Sequence, residues 1–346
     1  MNKIEFYRFM KKIPKAELHL HCEATVSKKT IGMLYKKSAN LDLTNEELDN
    51  FFSFDNLAEF VKCFIELQKL LTTPDDLKFL FNDLKDYLQA NSIVYCEVFF
   101  SPSSLIRKGF TFKDMIAVIS NKIEKIKNET GIIIKIIIDV SRTFGCENAM
   151  NNLKFIEESK NLNIIGIGLG GDEKKGPAKD YTEVFKQAKK DGLHLVAHAG
   201  EDVDFQSIKD SINYLNVERI GHGITAIQDK KLVEFLAEKK IPLEICVTSN
   251  LFTKKIVTKI EEHPVRAFYD KGVFLTINSD DPSMFNTSLV EEYWLLYSKL
   301  NFTMEEIKQL VLNAFEAAFM PVSEKKKYKN LVLDRWDKAK KEYKVE

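Results

Sequence analysis

What most constrains this chain is an eightfold alternation of short β-rich runs with stretches whose apolar residues recur at helical spacing. The runs are Lys15–His21, Ile93–Phe100, Ile132–Val140, Ile164–Gly171, His194–Gly200, Glu218–Gly223, Pro242–Asn250 and Phe274–Asp281, and stretches such as Tyr181–Asp191 and Asp229–Lys239 follow them. Eight such units predict a TIM (β/α)8 barrel. An open doubly wound sheet alternates in the same way, but it brings a phosphate loop with it. The Gly166-x-Gly168-x-Gly170-Gly171 run has the wrong spacing for that loop, and the Asp172-Glu173 pair after it would repel a pyrophosphate.

About seventy residues separate the first two runs, where a short crossover suffices. The insertion leaves from the C-terminal end of a strand, the active face of a barrel. Helices over Ser27–Lys37, Asn45–Phe52, Asn56–Leu71 and Thr73–Asn91 are therefore expected to cap the pocket. No linker, repeat or low-complexity tract divides the chain. It reads as one domain, 1–346, with residues 27–91 as a helical lid insertion and Met304–Met320 and Glu324–Lys344 as extra C-terminal helices.

Lys+Arg and Asp+Glu both number 51, so the net charge is zero. That balance argues against nucleic-acid or membrane partners and favours a small neutral substrate. The N-terminal MNKIEFYRFMKK alternates apolar and charged residues, unlike a signal peptide, and the Ile132–Val140 run is short and interrupted by Lys135. A cytoplasmic location is the expectation. Cys22, Cys63, Cys96, Cys146 and Cys246 form no C-x-x-C pair and read as free thiols. Nothing in the pattern points to a protein partner.

Four of the six histidines fall at the C-terminal ends of predicted strands. His19 and His21, two apart on the first strand, point to one face and can chelate a single ion, while Leu18 and Leu20 face the helices. His198 ends the fifth strand, before a glycine that lets Glu201 turn back over the mouth, and His222 ends the sixth between Gly221 and Gly223. In the eighth, Pro282 stops the strand, so Asp280 and Asp281 can meet different partners. Three imidazoles, a carboxylate and a water suit an open catalytic zinc site. His194 and His263 lack that placement and read as structural.

These residues lie in KAELHLHCEA, GLGGDE, HAGED, RIGHG, EICVTSN and TINSDDPSMF, and from about Pro14 to Phe285 the chain resembles the adenosine/adenine deaminase family of metal-dependent hydrolases. The resemblance implies one zinc per chain held by His19, His21, His198 and Asp280. His222 would orient and help deprotonate the water. Glu201 would protonate ring N1 as hydroxide adds at C6, the general acid that loss of aromaticity demands. Asp281 would bond the hydroxide or the purine N7 edge, and a backbone N–H near Gly171 would meet N3. Leu57, Phe60, Val61 and Phe64 match the family's apolar gate. The implied reaction is hydrolytic deamination of an aminopurine, with adenosine and 2′-deoxyadenosine first.

One departure bears on the substrate. Adenosine deaminases commonly carry His-Leu-Asp-Gly where this chain has His21-Cys22-Glu23-Ala24. Glu23 there resembles adenine deaminases and branches acting on modified nucleosides such as aminodeoxyfutalosine. A two-metal hydrolase on the same barrel would want a lysine at the end of the fourth strand, where Gly-Leu-Gly-Gly stands. The H-x-E and P-C-x-x-C signature of nucleic-acid deaminases is missing. A catalytically silent relative would not need the full set of ligands and proton-transfer groups.

Overall fold

The computed structural model describes residues 1–54, 57–253 and 256–343, with the side chains of residues 57, 58 and 61 outside that description. The eight runs form eight parallel strands paired in chain order: β1 Lys15–His21, β2 Ile93–Phe100, β3 Ile133–Asp139, β4 Ile164–Leu169, β5 His194–Ala199, β6 Arg219–His222, β7 Leu243–Ile245 and β8 Leu275–Ile277. With helices around them they make the expected TIM barrel.

The seam between β8 and β1 is closed by other means than a strand ladder. The Asn278 side-chain oxygen accepts from the Leu18 and His19 amides at 2.9 and 3.1 Å. Beyond it the Asp280 amide donates to the His19 carbonyl at 3.2 Å, and the Asp280 carbonyl accepts from the His21 amide at 3.0 Å. An expected metal ligand is thereby stitched into the strand that carries two others.

β7 and β8 are shorter than the sequence pattern predicted. Residues expected to continue β7 instead turn into a helix, Val247–Thr253. A short apolar run does not distinguish strand from helix by periodicity. Here the buried Glu292 carboxylate decides it, accepting from the Thr248 amide at 3.1 Å and from the Thr248 hydroxyl at the helix start. The expected eighth strand stops at Ile277, five residues before Pro282, so the proline is not what ends it. A helix over Lys3–Met10, not anticipated from the alternating N-terminus, begins with an Asn2–Glu5 capping box. It buries Phe6 against Trp294 and Tyr297 and Phe9 against Trp336, tying the N-terminus to the C-terminal helices Leu289–Lys299 and Val322–Tyr343.

Between β1 and β2 lie helices Lys28–Ala39, Asn45–Phe51, Leu57–Leu70 and Leu77–Ala90, close to the expected insertion; Asn56 lies outside the described residues. Among the described residues no helix is long and apolar enough to cross a membrane.

Candidate active site

The strand period of two sends His19 and His21 inward from β1, and β5 delivers His198 at the same level. One donor atom from each of His19, His21, His198 and Asp280 lies within 4.8 Å of the others. His21 Nε2 is 3.3 Å from His198 Nε2, and Asp280 Oδ1 is 3.4 Å from both His19 Nε2 and His21 Nε2. The backbone is bent to bring this about. His222 and Asp280 have φ of 61° and 64°, a region that non-glycine residues enter at a cost and that clusters at functional sites. Gly221 is required for another reason: a Cβ there would sit 2.6 Å from His19 Cε1.

These four side chains fit a divalent cation. His19 Nε2 is buried with no hydrogen-bond partner, although it is surrounded by donors and acceptors. Burial pulls the His19 pKa down, but the Asp280 and Glu244 carboxylates beside it outweigh that and push it up to about 10. The pocket thus draws positive charge to the face of His19 that a cation would take. Burial pushes His21 down and His198 well down, keeping both neutral as ligands require. A second group, His222, Cys246 and Asp280, is close enough to hold a metal, but burial pushes the Cys246 thiol well up, against thiolate ligation.

Behind the ligands the barrel interior is charged. His19 Nδ1 donates to Glu244 Oε2 at 2.7 Å, Glu244 Oε1 accepts from Arg219 Nε at 2.6 Å, and Arg219 pairs with Glu97 at 2.6 Å. All four side chains are essentially without solvent contact. None of Glu244, Arg219 and Glu97 was picked out from sequence, although Arg219 and Glu244 stand inside the RIGHG and EICVTSN motifs.

Glu201 sits with Oε2 3.4 Å from His222 Nε2, and its side chain is one-fifth exposed. Removal from bulk water, reinforced by Asp280 and Glu173, pushes its pKa well above the ordinary range. Its loop is gripped from the neighbouring strand: Glu173 accepts from the amides of Gly200, Glu201 and Asp202 at 2.9, 3.0 and 2.8 Å and from the Ser207 hydroxyl at 2.6 Å. Arg142 donates to the carbonyls of Gly176, Leu169 and His198 at 2.8, 2.9 and 2.8 Å. Neither Glu173 nor Arg142 was singled out from sequence; Glu173 ends the GLGGDE motif, and Arg142 carried no signal.

Asp281 is buried, with Oδ1 unpartnered, and burial next to Asp280 pushes its pKa well up. Glu23 is fully buried just after β1, its oxygens taken by the Ser101 amide and the Cys22 thiol, each at 3.2 Å. Gly171 follows β4 with φ 86°, beside the Ser141 and Thr143 hydroxyls. Of the gate residues, Phe60 and Phe64 have ring centroids 6.2 Å apart, while the side chains of Leu57 and Val61 lie outside the described residues. Phe60 stacks on Phe285 at 5.2 Å, and Phe54 and Phe252 complete an aromatic group that ties the insertion after β1 to the segments that follow β7 and β8.

The two histidines read as structural have definite partners. His194, at the start of β5, stacks on Phe319 with centroids 3.9 Å apart. His263 Nε2 is 3.3 Å from Asn250 Oδ1, and Asn250 in turn reaches His222 Nδ1 at 3.1 Å. A cavity of about 580 Å³ opens beside His194, Arg219, Phe319 and Lys325 at the strand-start end of the barrel, away from the ligand cluster.

The family model for adenosine deaminase matches residues 14–335. The chain is 36% identical over 327 residues to an adenine deaminase of Wolinella succinogenes, covering 91% of this chain and 95% of that one. It is 32% identical over 325 residues to an aminodeoxyfutalosine deaminase of Streptomyces avermitilis, covering 93% and 90%. The crystal structure of an adenine deaminase from Arthrobacter aurescens matches with a TM-score of 0.88 at 26% identity, over 94% of this chain and 99% of that one. Strand order, the converging histidines and these likenesses agree: the chain belongs to the adenosine deaminase family of hydrolytic deaminases.

Proposed function

We propose that the chain removes the 6-amino group of an adenine-type purine hydrolytically, with one zinc ion per chain held by His19, His21, His198 and Asp280. The observation that carries this reading is the convergence of those four donors beside a carboxyl group, Glu201, whose pKa is raised by burial and by its Asp280 and Glu173 neighbours. Zinc bound there would supply hydroxide from water at neutral pH, lowering the water pKa from 15.7 to about 7. The residues do the rest. Glu201 gives its proton to ring N1 as C6 becomes tetrahedral, so negative charge never builds up on the ring. Asp281 has a free oxygen for the attacking hydroxide or the N7 edge, and a backbone N–H near Gly171 would meet N3. Phe60 and Phe64 close the mouth and exclude water.

Adenosine, with 2′-deoxyadenosine, is the first expected substrate, inosine and ammonia the products. Glu23 favours a second reading, free adenine. Glu23 is fully buried, with the Ser101 amide on one oxygen and the Cys22 thiol on the other, so a ribose hydroxyl would have to reach an enclosed carboxylate, whereas a free base needs no such contact. Ammonia release from adenosine, 2′-deoxyadenosine, adenine and aminodeoxyfutalosine, compared by kcat/KM, decides between them. The highest value on adenosine supports the first reading, and turnover of adenine alone replaces it with the second. Failure on every aminopurine refutes the reaction class.

A further inference from the structure

We propose that a hydrogen-bond chain from Val265 through His263 and Asn250 locks His222 in the tautomer with its proton on Nε2, so that His222 offers a proton, and not a lone pair, to the mouth of the barrel. The consequence for turnover rests on the function proposed above; the tautomer itself does not.

The direction of the chain is set at its far end by a group that can only donate. The Val265 amide donates to His263 Nδ1 at 3.1 Å. An imidazole that accepts at Nδ1 is neutral and carries its proton on Nε2. Burial pushes His263 down to about 3, in keeping with a neutral ring. His263 Nε2 faces the Asn250 side chain at 3.3 Å, so the amide must present its oxygen there. Its nitrogen is then left to donate to His222 Nδ1 at 3.1 Å. His222 Nδ1 accepts, and its proton resides on Nε2. Asn250 is fully buried and His222 and His263 nearly so, at 0%, 1% and 4% exposure, leaving no bulk water to offer either ring a different partner.

His19 provides the contrast on the same floor of the site. Its Nδ1 faces the Glu244 carboxylate, which can only accept, so Nδ1 holds the proton and Nε2 keeps its lone pair for a cation. His222 has the opposite partner and the opposite tautomer. Its Nε2 has no hydrogen-bond partner, with Glu201 Oε2 3.4 Å and Asp280 Oδ2 3.9 Å away. It cannot ligate a cation in that form, which leaves the four-donor set intact. Its role is to donate to the attacking oxygen and orient it. On this proposal His222 orients that oxygen and does not take a proton from it.

The test uses zinc-loaded protein labelled with 15N-histidine. A long-range 1H–15N correlation is expected to show a protonated Nε2 and an unprotonated Nδ1 for His222 and His263; a proton on His222 Nδ1 overturns the proposal. Asn250→Asp supplies an acceptor to both rings and should move the His222 proton to Nδ1. In that variant kcat is expected to fall at least ~10-fold with KM and zinc content unchanged. A kcat that holds or rises after the proton has moved overturns the donor role. Should Asn250→Asp not fold, His263→Ala frees the amide to turn and should give mixed His222 tautomers; an unchanged spectrum there counts against the relay. The spectrum is read without substrate, so failure of the deaminase reading appears separately, in the substrate comparison.

Discussion

Replacing Glu244 with glutamine tests whether the charged barrel interior serves the metal ligands or merely fills space. Glu244 uses one oxygen for His19 Nδ1–H at 2.7 Å and the other for Arg219 at 2.6 Å, with no solvent contact. Glutamine has a single acceptor oxygen. If that oxygen stays with the guanidinium, an NH2 group confronts the His19 N–H, and the ring loses the partner that holds its lone pair towards the ligand cluster. Loss of such an outer partner costs about 10–100-fold in metal affinity, or roughly 1.4–2.8 kcal/mol. Stability should fall as well, because removing one partner of a buried ion pair costs about 3–5 kcal/mol. Glutamine still leaves Arg219 one acceptor, and Glu97 remains at 2.6 Å, so the loss belongs at or below the lower end of that range. Zinc competition against a chromophoric chelator gives the affinity, and denaturant melts of metal-free protein give the stability. A Glu244→Gln variant that binds zinc as tightly as the parent, even with a lower melt, refutes the link between Glu244 and His19.

Three further outcomes are expected. Glu173→Gln loosens the loop that carries Glu201, since one amide oxygen cannot serve three backbone N–H groups; kcat should fall about 10–100-fold at constant zinc content, and Glu201→Gln, which removes the acid itself, by roughly 10²–10⁴. If the two changes multiply in the double variant, Glu173 does not act through Glu201. Gly221→Ala drives a methyl to 2.6 Å from His19 Cε1, so metal analysis should show far less than one zinc per chain; a fully loaded variant would show that the ring can give way. Glu292 is fully buried and its pKa is pushed up from 4.5 to about 7, chiefly by burial. The unfolded chain releases that proton first, so the contribution is fully present below about pH 4.5 and lost by about pH 7, a change of about 3 kcal/mol. Glu292→Gln should flatten that part of the stability profile, and denaturant melts at pH 5 and pH 8 measure it.

The convergence of His19, His21 and His198 was legible because strand periodicity carries it. His19 and His21 two residues apart, with imidazoles ending two other runs, already imply one ring of donors at one end of a barrel. The eight strands were legible for the same reason, and the lid because seventy residues between adjacent strands need a purpose. The losses have physical causes. The end of β7 was misjudged because nothing in Val247-Thr248-Ser249-Asn250 marks a change from strand to helix, and its helix depends on Glu292, which lies far along the chain. The turn at Asp280 was credited to Pro282, whereas a positive φ and two backbone bonds to β1 produce it. His263 looked structural in isolation. Its link to His222 passes through Asn250 and a backbone amide, and no spacing in the sequence records that path.

The measurement that tests the central claim most directly is reactivation of chelator-stripped protein by stepwise addition of zinc, followed by ammonia release from the preferred aminopurine. Activity is predicted to rise linearly from near zero and to break at one equivalent per chain. Full turnover by the stripped protein, or a break at two equivalents, would contradict a single ion held by His19, His21, His198 and Asp280.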